Sequence, residues 1–87
     1  MMADEKKVTR LLKTARGQLD GILKMVEENR YCIDISQQLM ATEAILSRVN
    51  KEILTAHLKH CVSEAHSDAE RTQRVEEFAN TLDKILK

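Results

Sequence analysis

The sequence contains no proline, no tryptophan, only two glycines and only two aromatic side chains in 87 residues. Because proline and glycine are the residues that helices tolerate least, little in this chain interrupts a helix. Its longest wholly apolar runs are two or three residues, far short of the ~20 that cross a bilayer. The start, MMADEKK, also lacks the apolar segment of a secretory signal. We therefore expect an aliphatic core, a cytoplasmic location and no membrane partner.

Apolar residues recur every three or four positions along most of the chain, which is the spacing of one helical face. The pattern predicts three helices, at about residues 4–28, 32–62 and 68–86, in a single domain that spans residues 1–87. Asn29 is a typical stop for the first helix, and Ser67 with Glu70 forms a capping-box signature for the third. The predicted fold class is all-α.

A central helix this long cannot cover its apolar face with two shorter helices of the same chain. A chain of this size buries only about 60–65% of the surface that it exposes when unfolded, so one copy alone has marginal stability. We expect antiparallel pairing with the same helix of a second copy, in a twofold arrangement, the commonest among soluble oligomers.

Charge is balanced overall but not along the chain. There are 14 basic and 14 acidic side chains, yet between residues 6 and 24 six cations accompany one anion, Asp20. Such a local excess keeps nucleic acid open as a partner. On charge alone, an ordinary solvated helix face is the simpler interpretation.

Cys32 and Cys61 carry the most specific chemical information. On one continuous helix, their separation of 29 residues corresponds to roughly 43 Å, whereas a disulfide needs Cα atoms within about 7 Å. An antiparallel partner helix would instead place its own Cys32 beside Cys61 of the first chain. His57 lies four residues before Cys61, on the same helical face, so both side chains can bind one ion.

Two thiolates and one imidazole favour soft metal ions. Zinc normally takes four ligands in a closed structural site, so a trigonal set of two sulfurs and one nitrogen fits Cu(I) better than Zn(II). Taken singly, each cysteine could equally be a small buried hydrophobic residue, and His57 a core histidine. His60 and His66 are expected to be solvated.

Three segments of this chain resemble the copper-sensing repressor family, the CsoR/RcnR-type regulators. They are LKTARGQLDGI at 12–22, YCIDI at 31–35 and HLKHC at 57–61. The resemblance extends over nearly the whole chain and implies a bacterial, all-helical transcriptional repressor that binds operator DNA. It also implies antiparallel dimers with a four-helix-bundle core, which pair into disc-like tetramers and carry the sensory site across the dimer interface.

The family's sensing positions correspond to Cys32 of the facing subunit, His57 and Cys61. This set resembles the copper-sensing branch; nickel-sensing relatives carry a histidine near the N-terminus, and residues 1–7 contain none, so Ni(II) fits less well. Tyr31 and Glu77 match a tyrosine and a glutamate that the copper sensors place around the metal ligands. Such partners orient a metal-bound imidazole through a hydrogen bond to its other nitrogen. Without the resemblance, interface packing and a solvated charge would explain these two residues.

The resemblance also implies that basic side chains on a flat helical surface contact the DNA backbone. Arg48 falls at a family arginine position, whereas the family arginine nearest Arg10 usually lies one residue later, at Leu11. Four copies of the chain would multiply each phosphate contact. The candidate DNA contacts are Lys6, Lys7, Arg10, Lys13, Arg16 and Arg48.

The predicted function is therefore a Cu(I)-responsive repressor, released from operator DNA by Cu(I) so that copper-resistance genes are expressed. Two alternatives stay open. One is a repressor on the same scaffold that senses persulfide through Cys32 and Cys61 of facing subunits; the other is a cytosolic metal buffer that binds no DNA. The sequence shows no nucleophile–base pair, phosphate loop or catalytic carboxylate pair, so we predict neither an enzyme nor a small-molecule substrate.

Overall fold

The structure, a computed structural model, describes residues 1–64 and 66–86, with side chains up to residue 85. It contains three helices, α1 (Glu5–Glu27), α2 (Cys32–Glu64) and α3 (Asp68–Leu86). No strand occurs in the described ranges, which confirms the predicted all-α class. In the same part of the chain, no helix has the length and apolar character needed to cross a membrane.

The first helix begins one residue later than predicted because Asp4 caps it. The Asp4 carboxylate accepts hydrogen bonds from the backbone N–H groups of Lys6, at 3.0 Å, and Lys7, at 3.3 Å. These are two of the donors that the first turn of a helix leaves unsatisfied. Glu5 adds an acidic side chain to the first turn, where the helix dipole favours negative charge.

The end of α1 is a Schellman motif. The N–H of Asn29 donates to the carbonyl of Val26, and the N–H of Arg30 donates to the carbonyl of Met25. Asn29 has a φ of 54°, a left-handed conformation that asparagine adopts more readily than other residues with a side chain. The prediction that Asn29 stops this helix is confirmed.

Residues 4–50 form one compact unit, made of α1 and the first part of α2. Its centre contains one buried polar side chain, Thr42, which is only 2% exposed. The Thr42 hydroxyl lies 2.9 Å from Oε1 of Gln18 and 3.1 Å from the carbonyl oxygen of Gln38, so it is satisfied. The buried hydrophobic residues around it are few and aliphatic: Val8, Leu11, Ala15, Ile22 and Val49.

Only half of the apolar stripe predicted for α1 is buried within this unit. Leu23, for example, is 61% exposed, and Met40 on α2 is 56% exposed. A single chain therefore leaves apolar surface uncovered on both helices, as predicted for the central helix. The large exposed hydrophobic residues of the unit are Leu12, Leu19, Leu23, Val26, Tyr31, Ile33, Leu39, Met40 and Leu46.

Residues 1–3 and 51–87 form the second unit, which contains the end of α2 and α3. The second helix runs to Glu64, two residues beyond its predicted end. Before α3, the Ser67 hydroxyl accepts the N–H of Glu70 at 3.1 Å. The Glu70 carboxylate accepts the N–H of His66 at 3.0 Å, not that of Ser67 as a full capping box requires. The predicted cap therefore forms, with its return bond displaced by one residue.

Candidate metal centre and nucleic-acid interface

The imidazole and the thiol predicted to share an ion are in contact. Nε2 of His57 lies 3.3 Å from Sγ of Cys61, and Nδ1 of the same ring lies 3.9 Å away. The two residues occupy i and i+4 of α2, which places them on one face of the helix. Cys61 is half-buried and His57 is exposed, so the pair presents a sulfur and a nitrogen donor to an arriving ion.

The other predicted thiol lies at the opposite end of the same helix. Cys32 is the first residue of α2 and Cys61 lies in its last turn. Cys32 and the preceding Tyr31 are exposed, and both cysteines are free thiols. Within one chain, and among the residues described, no three His, Cys, Asp or Glu side chains are grouped so as to hold a metal ion.

A cavity of about 500 Å³ lies beside His57, within the unit of residues 1–3 and 51–87. Glu77 of α3 lines this cavity together with His57, and its carboxylate also pairs with the Arg74 guanidinium at 3.7 Å. The other residues that line it are Met1, Met2, Ile53, Leu54, Phe78 and Thr81.

Sequence patterns gave no reason to connect Met1 and Met2 with His57. These residues are more than fifty positions apart and belong to no common periodicity. The available signal was chemical: two adjacent thioethers in a chain that already carried a candidate site for a soft metal ion.

The predicted DNA contacts of α1 line two shallow grooves in the unit of residues 4–50. Lys6, Arg10 and Lys13 share a groove with Glu5, Thr9 and Thr14, and Lys6, Lys7 and Arg10 share another with Asp4. The three- and four-residue spacing of Lys6, Arg10 and Lys13 puts their charges on one helical face. Arg16 and Arg48 are exposed but line neither groove.

Residues 4–84 match the family described as metal-sensitive transcriptional repressor. The chain belongs to this family. It is a family of repressors and not of enzymes, which confirms the prediction that this repressor has no catalytic activity. One relative, the copper-sensing transcriptional repressor CsoR of Mycobacterium ulcerans, is 41% identical over 71 residues. That match covers 82% of this chain, and the chain spans 61% of the relative's length.

Two solved structures resemble this repressor. The copper-sensing repressor CsoR with Cu(I) from Geobacillus thermodenitrificans NG80-2 has a TM-score of 0.81 and 36% identity, covering 94% of this chain and 85% of that one. The nickel-responsive transcriptional regulator InrS has a TM-score of 0.80 and 28% identity, covering 98% and 96%. The family resemblance seen in the sequence is thereby confirmed. The same fold serves a copper-sensing and a nickel-responsive protein, so the metal has to be argued from the donor atoms.

Proposed function

We propose that this chain is a Cu(I)-responsive transcriptional repressor. Its metal-free form binds operator DNA, and Cu(I) releases it so that copper-resistance genes are expressed. The observation that carries the proposal is the 3.3 Å contact between Nε2 of His57 and Sγ of Cys61 in a chain of the metal-sensitive repressor family. A thiolate favours Cu(I) over harder ions, and the copper-sensing relatives support that choice over Zn(II) or Ni(II).

The third ligand in this proposal is Cys32 of the partner subunit. Cys32 precedes His57 and Cys61 by 25 and 29 residues, which are about seven and eight helical turns, so the three lie on one side of α2. Leu39 and Leu46 follow Cys32 at intervals of seven and are exposed in the single chain. Burying that side against a second, antiparallel α2 supplies a thiolate to each His57–Cys61 pair. Two such dimers would form the repressor tetramer.

Tyr31 and Glu77 complete the proposed sensor by holding the imidazole. Glu77 lines the same cavity as His57, and a hydrogen bond from the free ring N–H to its carboxylate would orient the ring on the metal. The proposed partner on the other side is Tyr31. Because Glu77 belongs to α3, metal occupancy would bias the position of that helix.

The proposed DNA surface is the set of exposed cations of α1, together with Arg48. Contacts to phosphates make affinity fall linearly with the logarithm of salt concentration, by a slope of about 0.9 per phosphate neutralised. The proposal therefore places the repressor in the cytoplasm, bound to duplex DNA through Lys6, Lys7, Arg10, Lys13, Arg16 and Arg48 in each of four copies.

The deciding experiment measures binding to the promoter DNA next to the chain's own gene by fluorescence anisotropy, with and without Cu(I), over a range of salt. We expect Cu(I) to weaken DNA binding, and DNA to weaken Cu(I) binding by the same factor, because coupling between two sites is reciprocal. Lys13→Gln should lower the salt slope, whereas Lys84→Gln on α3 should not. Equal Cu(I) affinity with and without operator would overturn the mechanism, and absence of salt-dependent binding would point to a metal buffer.

A second candidate, a persulfide-sensing repressor, is favoured by one observation. Both cysteines are free thiols, so Cys32 of the partner subunit and Cys61 could be joined by a sulfur bridge in place of the metal. In that reaction a persulfide or polysulfide accepts two electrons from the thiols and leaves as sulfide. His57 has no part in this chemistry, so its removal separates the two functions.

A further inference from the structure

We propose that Met2 supplies a thioether ligand to Cu(I) held by His57 and Cys61 of the same chain, forming a capture site that needs no second subunit. The inference rests on the proposed function only in the identity of the ion. It adds a ligand that lies outside the predicted Cys-His-Cys set, and it gives the two methionines at the start of the chain a chemical role.

The geometry that carries the inference is the position of His57 between two sulfur sources. One is Sγ of Cys61, 3.3 Å from Nε2. The other is the cavity of about 500 Å³ that Met1, Met2 and His57 line together. Of the two methionines, Met2 is less exposed, at 51% against 69% for Met1, so we assign the ligand to Met2. All of these residues belong to the unit of residues 1–3 and 51–87.

The chemistry of the donor set selects the ion. Thioethers bind soft ions such as Cu(I) and are poor ligands for harder ions, so a Met–His–Cys set discriminates against Zn(II) and Ni(II). Binding would displace one proton, from Cys61, since a thioether has none to lose. Methionine has an unbranched side chain with several rotatable bonds, which lets its sulfur move towards an ion at the mouth of the cavity.

The competing explanation is that Met2 only fills an apolar cavity. Ile53, Leu54 and Phe78 line the same space, and methionine packs well in such surroundings. Met2→Leu separates the two roles, because leucine keeps nearly the same volume and apolarity but has no sulfur. Met40→Leu is the matched control: Met40 is comparably exposed, at 56%, and lies in the other compact unit.

The experiment uses the full chain carrying Cys32→Ser, so that the thiolate proposed for the intersubunit site is absent. Cu(I) affinity is measured anaerobically by competition with a chromophoric Cu(I) chelator, and ligands are counted by copper X-ray absorption. We expect two sulfurs and one nitrogen per ion. Met2→Leu should remove one sulfur and weaken Cu(I) binding roughly tenfold, the lower end of the effect expected for groups that support a metal site. It should leave Zn(II) affinity unchanged.

Unaltered Cu(I) affinity and sulfur count in Met2→Leu would overturn the inference and leave Met2 as packing. An equal loss in Met40→Leu would also overturn it, because the effect would then not belong to the cavity. The result is independent of the operator: the inference survives if Met2→Leu loses a sulfur ligand in a protein whose DNA binding ignores Cu(I), and in that case only the proposed function fails.

Discussion

His57 has chemically different neighbours on its two sides. Its Nε2 approaches the Cys61 sulfur on the same helix, and its ring lines the cavity that Glu77 of α3 also lines. A neutral imidazole has one nitrogen that can bind a metal and one N–H that can donate a hydrogen bond. This residue is therefore the point at which a metal ion and α3 can influence each other.

His57→Ala should abolish the copper response while preserving a sulfur response. Losing a direct ligand should weaken Cu(I) binding by more than about 100-fold, the upper end of what loss of a group outside the ligand set costs. His60→Ala is the matched control, because His60 is an exposed histidine on the same helix. Release of operator DNA by Cu(I) and by polysulfide, measured by anisotropy, distinguishes the variants; a normal copper response in His57→Ala would contradict the assignment.

Thr42→Val should destabilise the fold although it preserves the shape of the side chain. The Thr42 hydroxyl is buried and lies 2.9 Å from Oε1 of Gln18, so its loss leaves an acceptor without its partner, which costs about 1–3 kcal/mol. Thr14→Val serves as control, because the Thr14 hydroxyl is exposed and bonds only to the Arg10 carbonyl of its own helix. Urea unfolding monitored by circular dichroism should show a lower midpoint for Thr42→Val alone.

At the scale of helices, the features predictable from sequence are those that depend on neighbours along the chain. The stop at Asn29, the cap at Ser67 and the contact between His57 and Cys61 all join residues within five positions of each other. Local spacing and side-chain chemistry are sufficient for such features. The return bond from Glu70 was placed one residue wrongly, because the turn before α3 presents the His66 N–H to it.

Features that depend on packing between helices were not predictable in the same way. The apolar stripe of α1 contains both Ile22, which is buried, and Leu23, which is exposed, and periodicity alone does not say which side meets α2. Met2 and His57 line one cavity although no sequence pattern joins them. Glu77 entered through the family resemblance and not through spacing, since an isolated glutamate on a helix reads as a solvated charge.

Asn29→Ala should weaken the end of α1, whereas Asn29→Gly should not. The φ of 54° costs an ordinary side chain about 1–2 kcal/mol, and asparagine pays less of this because it tolerates the left-handed region; glycine pays none. We expect the free energy of unfolding to fall by about 1 kcal/mol for alanine. Chemical denaturation of the two variants side by side tests the prediction, and equal stabilities would show that the backbone of this turn is not what limits the fold.

At the scale of the whole molecule, the small core makes association part of stability. Only five hydrophobic residues are buried among those described, while leucines on both α1 and α2 remain exposed. Apolar surface removed from water contributes roughly 25 cal/mol per Å². A second copy that covers these leucines would therefore stabilise the fold directly, in addition to supplying the proposed Cys32 ligand.

The melting temperature should consequently rise with protein concentration, since binding of a second copy to the folded state stabilises it by mass action. Leu46→Glu, on the side of α2 that carries Cys32, should remove this dependence and yield a monomer by analytical ultracentrifugation. Val75→Glu on α3 is the control, with an exposed apolar residue of similar accessibility in the other compact unit. A monomer at all concentrations for the unaltered chain would leave the proposed sensor without its third ligand.

The difference in exposure between the two cysteines makes the chain its own reporter of assembly. Cys32 is open to solvent in a single chain, whereas Cys61 is half-buried and touches an imidazole. Alkylating reagents should therefore label Cys32 first in dilute protein. Dimerisation would slow labelling at Cys32, and Cu(I) would protect both positions at once. Peptide-resolved alkylation rates could thus follow apo monomer, apo oligomer and loaded sensor inside a living cell, without attaching a fluorophore to so small a protein.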